Sequence, residues 1–494
     1  MVRSEGTGMA MTARNNLKDF GFILGSIEDY VPEDHLVRKL EEAIDWCFIY
    51  PLVTPLYSTF GRPSIDPVIL FKMIFINYTF GINSMRKTCQ EIKVNLAYRW
   101  FLGISLDDEV PNYSTWSQNY IRRYGDSMIF DQIFETIIDR GLSYGFINTE
   151  TVYGDSTHQK ASANKRKVER KQVELTKKRF EDELLEEINK DRTDHGKKKI
   201  DHLYREEYDF DEETGEQILV SKKKEIKASL SDPEAGNYHK GEHEECFAYC
   251  HQTFCDNNGF ILSYVTVPGN IHDSVSFFDA YDRLIEKYDV DNICLDAGYK
   301  TPAIAREVMK KKQKLYLPYT RLRGSKKEIL NKKDFTYDHK SDSYICPNDE
   351  RLSYSTTDNK GYRLYKSDSS KCENCPLLEK CTSSRKHQKT ISAHIWQEYL
   401  DECEKTRHSD KWKRLYPRRK QTIERAFGDC KENHCLRYTR IRGLRKNSHQ
   451  AAIIYSCLNL KKLSLWRSRN TYLYDLMDKT GKTKQEILES CSKA

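Results

Sequence analysis

Residues 246–267, CFAYCHQTFCDNNGFILSYVTV, decide the fold. Two runs rich in aromatic and β-branched residues, 246–255 and 260–267, flank Asp256-Asn257-Asn258-Gly259, a tetrapeptide with strong turn chemistry. Such a pattern predicts a hairpin. Upstream, Thr151-Val152-Tyr153-Gly154-Asp155 reads as a short strand ending in an acid. Downstream, Pro268-Gly269-Asn270 breaks the second hairpin strand. A helix is predicted over about 274–288, with Phe277, Phe278, Tyr281, Leu284, Ile285 and Tyr288 on one face. Residues 292–295 form a buried-type strand ending at Asp296, 301–312 a helix and 314–318 a fifth strand.

The order is therefore strand, strand, strand, helix, strand, helix, strand. It is the order of a ribonuclease H-like α/β core, an antiparallel three-strand unit followed by parallel crossovers. In that arrangement the fourth strand lies beside the first. Asp155 and Asp296 then point at one spot, because strand ends are where such sheets carry their sites. Taken singly, each acid has a plainer reading. A strand-end Asp is usually a turn or cap residue, and a helical Glu such as Glu424 usually faces solvent or pairs with a cation. The combination in this order is what singles them out.

The other segments read differently. Residues 1–145 are predicted all-helical. An apolar helix spans 67–82, Asn83-Ser84 offers a cap for the next, a third runs from 96 to 102, and Pro111-Asn112-Tyr113-Ser114 opens a fourth ending near Arg122-Arg123. Short helices joined by tight turns, with basic ends, are compatible with a helix-turn-helix DNA binder or with a plain helical bundle. Residues 164–245 are rich in Lys, Glu, Arg and Asp. Val173, Leu175, Leu184, Leu185 and Ile188 suggest a solvated helix or helical hairpin inserted in the core.

Composition bounds the partners. The chain has 494 residues and a net charge of +7. Residues 411–446 alone hold 13 Lys or Arg against 3 Asp or Glu, an excess of +10, so the remainder is close to neutral. A local basic strip of this kind is the footprint of a polyanion site, set against the ordinary fate of a charge run, a solvated surface. The apolar run 67–82 is interrupted by Lys72, Asn77 and Gly81 and is too short to span a bilayer. Residues 1–14 are polar and lack the apolar segment of a secretory signal. With an odd count of 15 cysteines, a reducing cytoplasm is expected.

Cys346, then Cys372-Glu373-Asn374-Cys375 and Cys381, give one Cys, a 25-residue loop and C-x2-C-x5-C. Four thiolates suit a structural Zn2+; an iron–sulfur cluster is the alternative, and unligated cytosolic thiols the plain reading. The surrounding stretch is polar and poor in core residues, so a metal would organise it. Asn270, His272 and Asp273 are rival acid or metal candidates, but Asp273 or Ser274 is better placed as the cap of the following helix. Asp291 precedes its strand and is set aside.

Tyr153-Gly154-Asp155-Ser156-Thr157, Leu295-Asp296-Ala297-Gly298-Tyr299-Lys300, and Arg418-Arg419-Lys420 through Ile423-Glu424-Arg425-Ala426-Phe427 to Lys431 resemble bacterial insertion-sequence transposases of the Asp-Asp-Glu type. The resemblance extends to the helical part around Arg62-Pro63-Ser64 to Arg123. The cysteine insert is similar to that of one branch of these enzymes. It implies a DNA transposase that cleaves DNA and joins the freed 3′ end to target DNA, with Asp155, Asp296 and Glu424 holding two Mg2+ or Mn2+ ions. The six residues between Glu424 and Lys431 match the family spacing. Related groups carry an Arg four residues before the Glu and a Tyr before that; here Lys420 and Pro417 occupy those positions, with Tyr416 one residue earlier.

Arg418, Arg419, Lys420, Lys431, Arg437, Arg440 and Arg442 are the expected DNA contacts. The resemblance implies as partners double-stranded DNA, namely terminal inverted repeats and target, and a homodimer or larger synaptic complex on the nucleoid, with no membrane. A metal-dependent nuclease without strand transfer and a catalytically dead DNA-binding regulator are the alternatives. The expected division is 1–145 helical and DNA-end binding, 146–163 first core strand, 164–245 charged insertion, 246–319 core continued, 320–410 Cys-rich insertion, 411–470 glutamate helix and basic strip, and 471–494 tail.

Overall fold

The computed structural model describes residues 25–58, 60–61, 64–174, 179–203, 207–210, 217–220, 223–240, 244–319 and 329–492. Arg62, Pro63, Leu175 and the polar start of the chain, all used above, lie outside the described residues.

The hairpin forms as the sequence dictates. Strands Glu244–Cys255 and Ile261–Pro268 pair antiparallel around the turn at 256–259. The Asp256 carboxylate ties that turn by accepting the backbone N–H groups of Asn258, Phe260 and Asn148. On its other edge Glu244–Cys255 pairs with the first core strand, Thr151–Lys160. The fourth strand, Asn292–Cys294, lies parallel to the first, and the fifth, Lys314–Tyr316, parallel to the fourth. Spatially the core strands run fifth, fourth, first, second, third. Helices Asp273–Lys287 and Pro302–Lys310 make the crossovers.

The first strand is longer than its sequence suggested. Asp155 lies within it, because pairing with the long second strand continues to Lys160. The cap of Asp273–Lys287 is also reassigned: His272 Nδ1 accepts the Ser274 N–H, and Asp273 is the first helical residue.

In the N-terminal part, Pro67–Thr79 is a helix capped by Asp66 with ten of its thirteen residues buried. Ser84 caps Met85–Val94, Asn95 caps Leu96–Leu102, and Asn112 caps Tyr113–Asn119, which continues as a π turn to Tyr124. These helices share one buried apolar cluster with the sheet and with the 24-residue helix Leu444–Arg467. After that helix come two more, Thr471–Thr480 and Lys484–Ser492, with Leu473, Tyr474 and Met477 buried.

Of the two readings of the charged insertion, a solvated helix or a helical hairpin, its described residues hold a single helix, Glu181–Asp194, beside short antiparallel strand pairs, Val168–Glu174 with Lys223–Ser229 and Glu207–Phe210 with Gln217–Val220. The Cys-rich insertion folds as a five-stranded antiparallel sheet with its own core of Phe335, Tyr344, Leu352, Tyr365, Ile391 and Ala393. The expectation that it lacks core residues fails because its aromatics, scattered in sequence among polar residues, fall on one face of the sheet. No described helix is long and apolar enough to cross a membrane.

Candidate active site

The parallel register pairs Thr151 with Asn292, Val152 with Ile293 and Tyr153 with Cys294. Continued by two residues, it sets Asp155 level with Asp296. Gly154 permits this approach. A Cβ there would lie 2.6 Å from side-chain carbons of both Leu295 and Phe254, so a larger residue would push the strands apart.

One side chain joins the two acids. Arg419 places one guanidinium nitrogen 2.8 Å from Asp155 and the other 3.3 Å from Asp296. Its side chain is 6% exposed, against 22% for Asp155 and 54% for Asp296. Burial pushes the Asp155 carboxyl up to about 6, opposed chiefly by the Arg419 charge and reinforced by Asp296 and Asp273. A half-buried carboxylate flanked by two others favours a cation, and Arg419 supplies one.

Arg419 was expected on the exposed DNA strip; the structure buries it instead. The reason is local. Tyr416–Gln421 is a 3-10 segment and the helix begins only at Ile423, after Thr422 with φ −107° and ψ −94°. A helix continuous from Lys420, with Lys420, Glu424 and Lys431 on one face, is therefore not formed. The 3-10 winding turns Arg419 inward and leaves Lys420 exposed. Tyr416 stacks on Trp412 at 4.9 Å and lies 3.4 Å from an Arg419 nitrogen. Tyr416 and Arg419 keep the three-residue offset of the related groups, shifted by one residue that the break at Thr422 absorbs.

Glu424 sits exposed in the first turn of Ile423–Asn433, a helix packed against the first strand, and Lys431 lies in its last turn. Asp273 is a participant the sequence reading assigned elsewhere. It accepts the Ser156 hydroxyl at 2.7 Å and approaches Gly298, so it stands between the Asp155 and Asp296 segments. An acid at the head of a helix following Asn270 and His272 was the available signal, and the N-cap pattern outweighed it.

The donor set at this centre is all carboxylate oxygen, which suits Mg2+ or Mn2+. Among the described residues, no group of three or more His, Cys, Asp or Glu side chains closes into a metal cage. Cys346, Cys372, Cys375 and Cys381 nonetheless line one cavity of about 20 Å³. Cys346 Sγ accepts the N–H groups of Asn348 and Glu350, both at 3.3 Å. Burial raises the Cys381 thiol, while the other three sulfurs lie near enough to act on it.

Of the remaining strip, Arg437, Arg440 and Arg442 are exposed. Arg437 pairs with Glu432, and Arg442 donates to the Ser162 carbonyl at 3.0 Å.

Residues 25–122 match the family model described as a transposase domain (DUF772), and residues 345–464 match the model described as a transposase DDE domain. Glu424 and Arg419 fall inside the second match, and Asp155 and Asp296 between the two. No curated protein matches the chain.

Proposed function

The chain belongs to the insertion-sequence transposases of the Asp-Asp-Glu type, and from that premise we propose that it cleaves DNA at transposon ends and transfers the freed 3′ ends to target DNA. The observation that carries this reading is the Arg419 fork between Asp155 and Asp296, next to the helix bearing Glu424. The strand order supports a ribonuclease H-like core.

Asp155, Asp296 and Glu424 are the residues to hold two Mg2+ or Mn2+ ions. When bound, such ions activate the attacking oxygen and stabilise the leaving one. The protein groups chiefly position. Arg419 holds the two aspartates level. Exposed Lys420, Arg437, Arg440 and Arg442 extend the positive surface on which duplex DNA lies. Synapsis of two ends needs a dimer or larger assembly. The four-cysteine cavity, with backbone N–H groups donating to Cys346, supports a structural Zn2+ there.

Asp155→Asn, Asp296→Asn and Glu424→Gln should each abolish Mn2+-dependent cleavage of a duplex bearing the terminal repeat, while binding of that duplex persists. Undiminished cutting by any of them removes that residue from the site. Strand transfer from pre-cleaved ends separates a transposase from a nuclease: a nuclease would cut and fail to join.

A further inference from the structure

The C-terminal end of Glu181–Asp194 reaches the Cys-rich sheet through His195, after which Gly196, with φ +67°, turns the chain away. Each ring nitrogen of His195 lies 2.7 Å from an oxygen: Nδ1 from the Asp191 carbonyl, Nε2 from the Asp342 carboxylate of the sheet. The ring stacks on Tyr354 with centroids 3.8 Å apart. Asp342 precedes strand Ser343–Ile345 with φ 41°, a left-handed backbone that Asp tolerates better than most residues. It also accepts the hydroxyls of Tyr337 and Tyr365. A neutral imidazole has a single N–H. Between a carbonyl and a carboxylate, neither with a proton to give, it would leave one nitrogen lone pair facing an oxygen lone pair. The imidazolium fills both contacts with donors. A cation is further favoured at a helix C-terminus and over an aromatic face.

The surroundings leave His195 to change charge near neutrality. On the helix stand Asp191, which pairs with Arg363, and Arg192, which donates to the Thr356 hydroxyl. On the sheet, burial pushes the Tyr337, Tyr354 and Tyr365 hydroxyls up. Burial would also raise the Asp342 carboxyl, but the Tyr337, Tyr365 and His195 hydrogen bonds outweigh it and hold that acid low. For Arg363 the Asp191 contact outweighs burial and raises the guanidinium. His195 has an ordinary value of 6.5; burial would lower it, and the Asp191 carbonyl and Asp342 carboxylate together raise it. The contact also has a place in the molecule. Its helix is fixed to the core by Arg306, which meets Glu183 and Glu187. Tyr337 and Tyr365, the two tyrosines on Asp342, wall a cavity of about 1100 Å³ whose other side is Ala297, Gly298 and Lys300, the residues that follow Asp296.

We propose that His195 is a pH-sensitive latch: protonated, it clamps the Cys-rich sheet to the core-bound helix and fixes the cavity wall beside Asp296; neutral, it releases that wall. Because docking raises the value of His195, the clamp is complete below about 6.5 and is lost as pH rises through the raised value. The latch stands whether or not the chain cuts DNA.

The test uses full-length protein. NMR of labelled histidine reads the His195 titration, with the resonance assigned through its contact with the Tyr354 ring. The midpoint should lie above 6.5 and fall by about 1 in Asp342→Asn, which removes the facing charge. A broad-specificity protease then reads the seating of the sheet. Cuts within 330–396 should be about tenfold faster in His195→Gln than in wild type near pH ~6 and equally fast near pH ~9, since a midpoint shift of about 1 is a factor of about ten in docking. Comparing the two proteins at each pH cancels the protease's own pH dependence. A His195 midpoint at or below 6.5, or a ratio of cutting rates that is the same at both pH values, overturns the latch. If His195→Gln fails to fold, the wild-type midpoint and its shift in Asp342→Asn decide between a latch and an ordinary surface histidine.

Discussion

At the scale of single residues, Arg419 supplies the positive charge that balances the two aspartates. Its fork offsets two carboxylates that the strand register forces together. Breaking a fully buried pair typically costs about 3–5 kcal/mol, and the partial exposure of both acids reduces that to roughly 1–2 kcal/mol. Arg419→Met should therefore destabilise the metal-free protein by that amount and move the Asp155 carboxyl above about 6, since the strongest influence holding it down is removed. Denaturant unfolding and a carboxyl NMR titration read the two effects; an unmoved Asp155 would show that the fork does not act on it. Asp256 gives the pH dependence of the fold. Burial pushes its carboxyl up to about 6 from an ordinary value of 3.8. A raised acid stabilises the folded state fully below about 3.8 and loses that contribution as pH rises through about 6. Wild type should accordingly gain stability relative to Asp256→Asn on going from pH 7 to pH 4, by on the order of 2–3 kcal/mol. A difference independent of pH would mean that the turn does not bury this charge. Asp155 and Asp296, which the structure brings onto one guanidinium, stand out in the sequence because each ends a strand motif. The sequence could not display Arg419, whose inward turn depends on a 3-10 segment and a break at Thr422.

At the scale of elements, the two insertions act on each other. Asp191 of Glu181–Asp194 accepts Arg363 at 2.6 Å and the Thr357 hydroxyl, while Arg192 donates to Thr356 at 2.8 Å. Toward the core, Glu183 and Glu187 both meet Arg306, each at 2.7 Å. Acids at 183, 187 and 191 are spaced one turn apart, so a single helix face grips the Cys-rich sheet and the core helix Pro302–Lys310. What reads in sequence as a solvated charge run is a strut, and only the partners' positions reveal it. The hairpin and crossovers were legible because their periodicity is local. The five-stranded sheet was not, because its tyrosines meet only across strands. Two variants separate the strut from the four-cysteine cavity. Cys372→Ser with Cys375→Ser should remove about one zinc per chain, yet leave the sheet docked, since its aromatic core remains. Asp191→Ala strands Arg363 and should release the sheet, giving proteolytic cuts within 330–396 while zinc is retained. Docking lost in the cysteine variant and kept in the aspartate variant would reverse the assignment.

At the scale of the whole molecule, the two family matches are not separable modules. Pro67–Thr79 is apolar around nearly its full circumference, the pattern of a helix with neighbours on every side. The sequence shows that it must be covered but not by what. The cover is Leu444–Arg467, which has 16 buried residues of 24 and packs on helices Leu36–Ala43, Pro67–Thr79 and Ile129–Ser143 as well as on the third core strand. Polar contacts follow the same route: His434 Nδ1 lies 2.9 Å from the Tyr78 carbonyl, and Asn459 exchanges hydrogen bonds with the backbone of Ile261. A fragment of residues 1–145 would lose the cover that this helix gives to Leu36–Ala43, Pro67–Thr79 and Ile129–Ser143. At ~1.5–3 kcal/mol for each large apolar side chain returned to water, the loss approaches the whole stability of a domain of that size. The fragment should therefore be unfolded or aggregated when expressed alone. In the intact chain the amides of Pro67–Thr79 and of the third core strand should exchange at the same free energy, as parts of one cooperative unit. A dispersed NMR spectrum from the fragment, or exchange of its helices well ahead of the sheet, would show instead that the N-terminal helices fold by themselves. The long helix would then be a lid laid over a finished domain, and not the element that makes the two matched regions parts of one body.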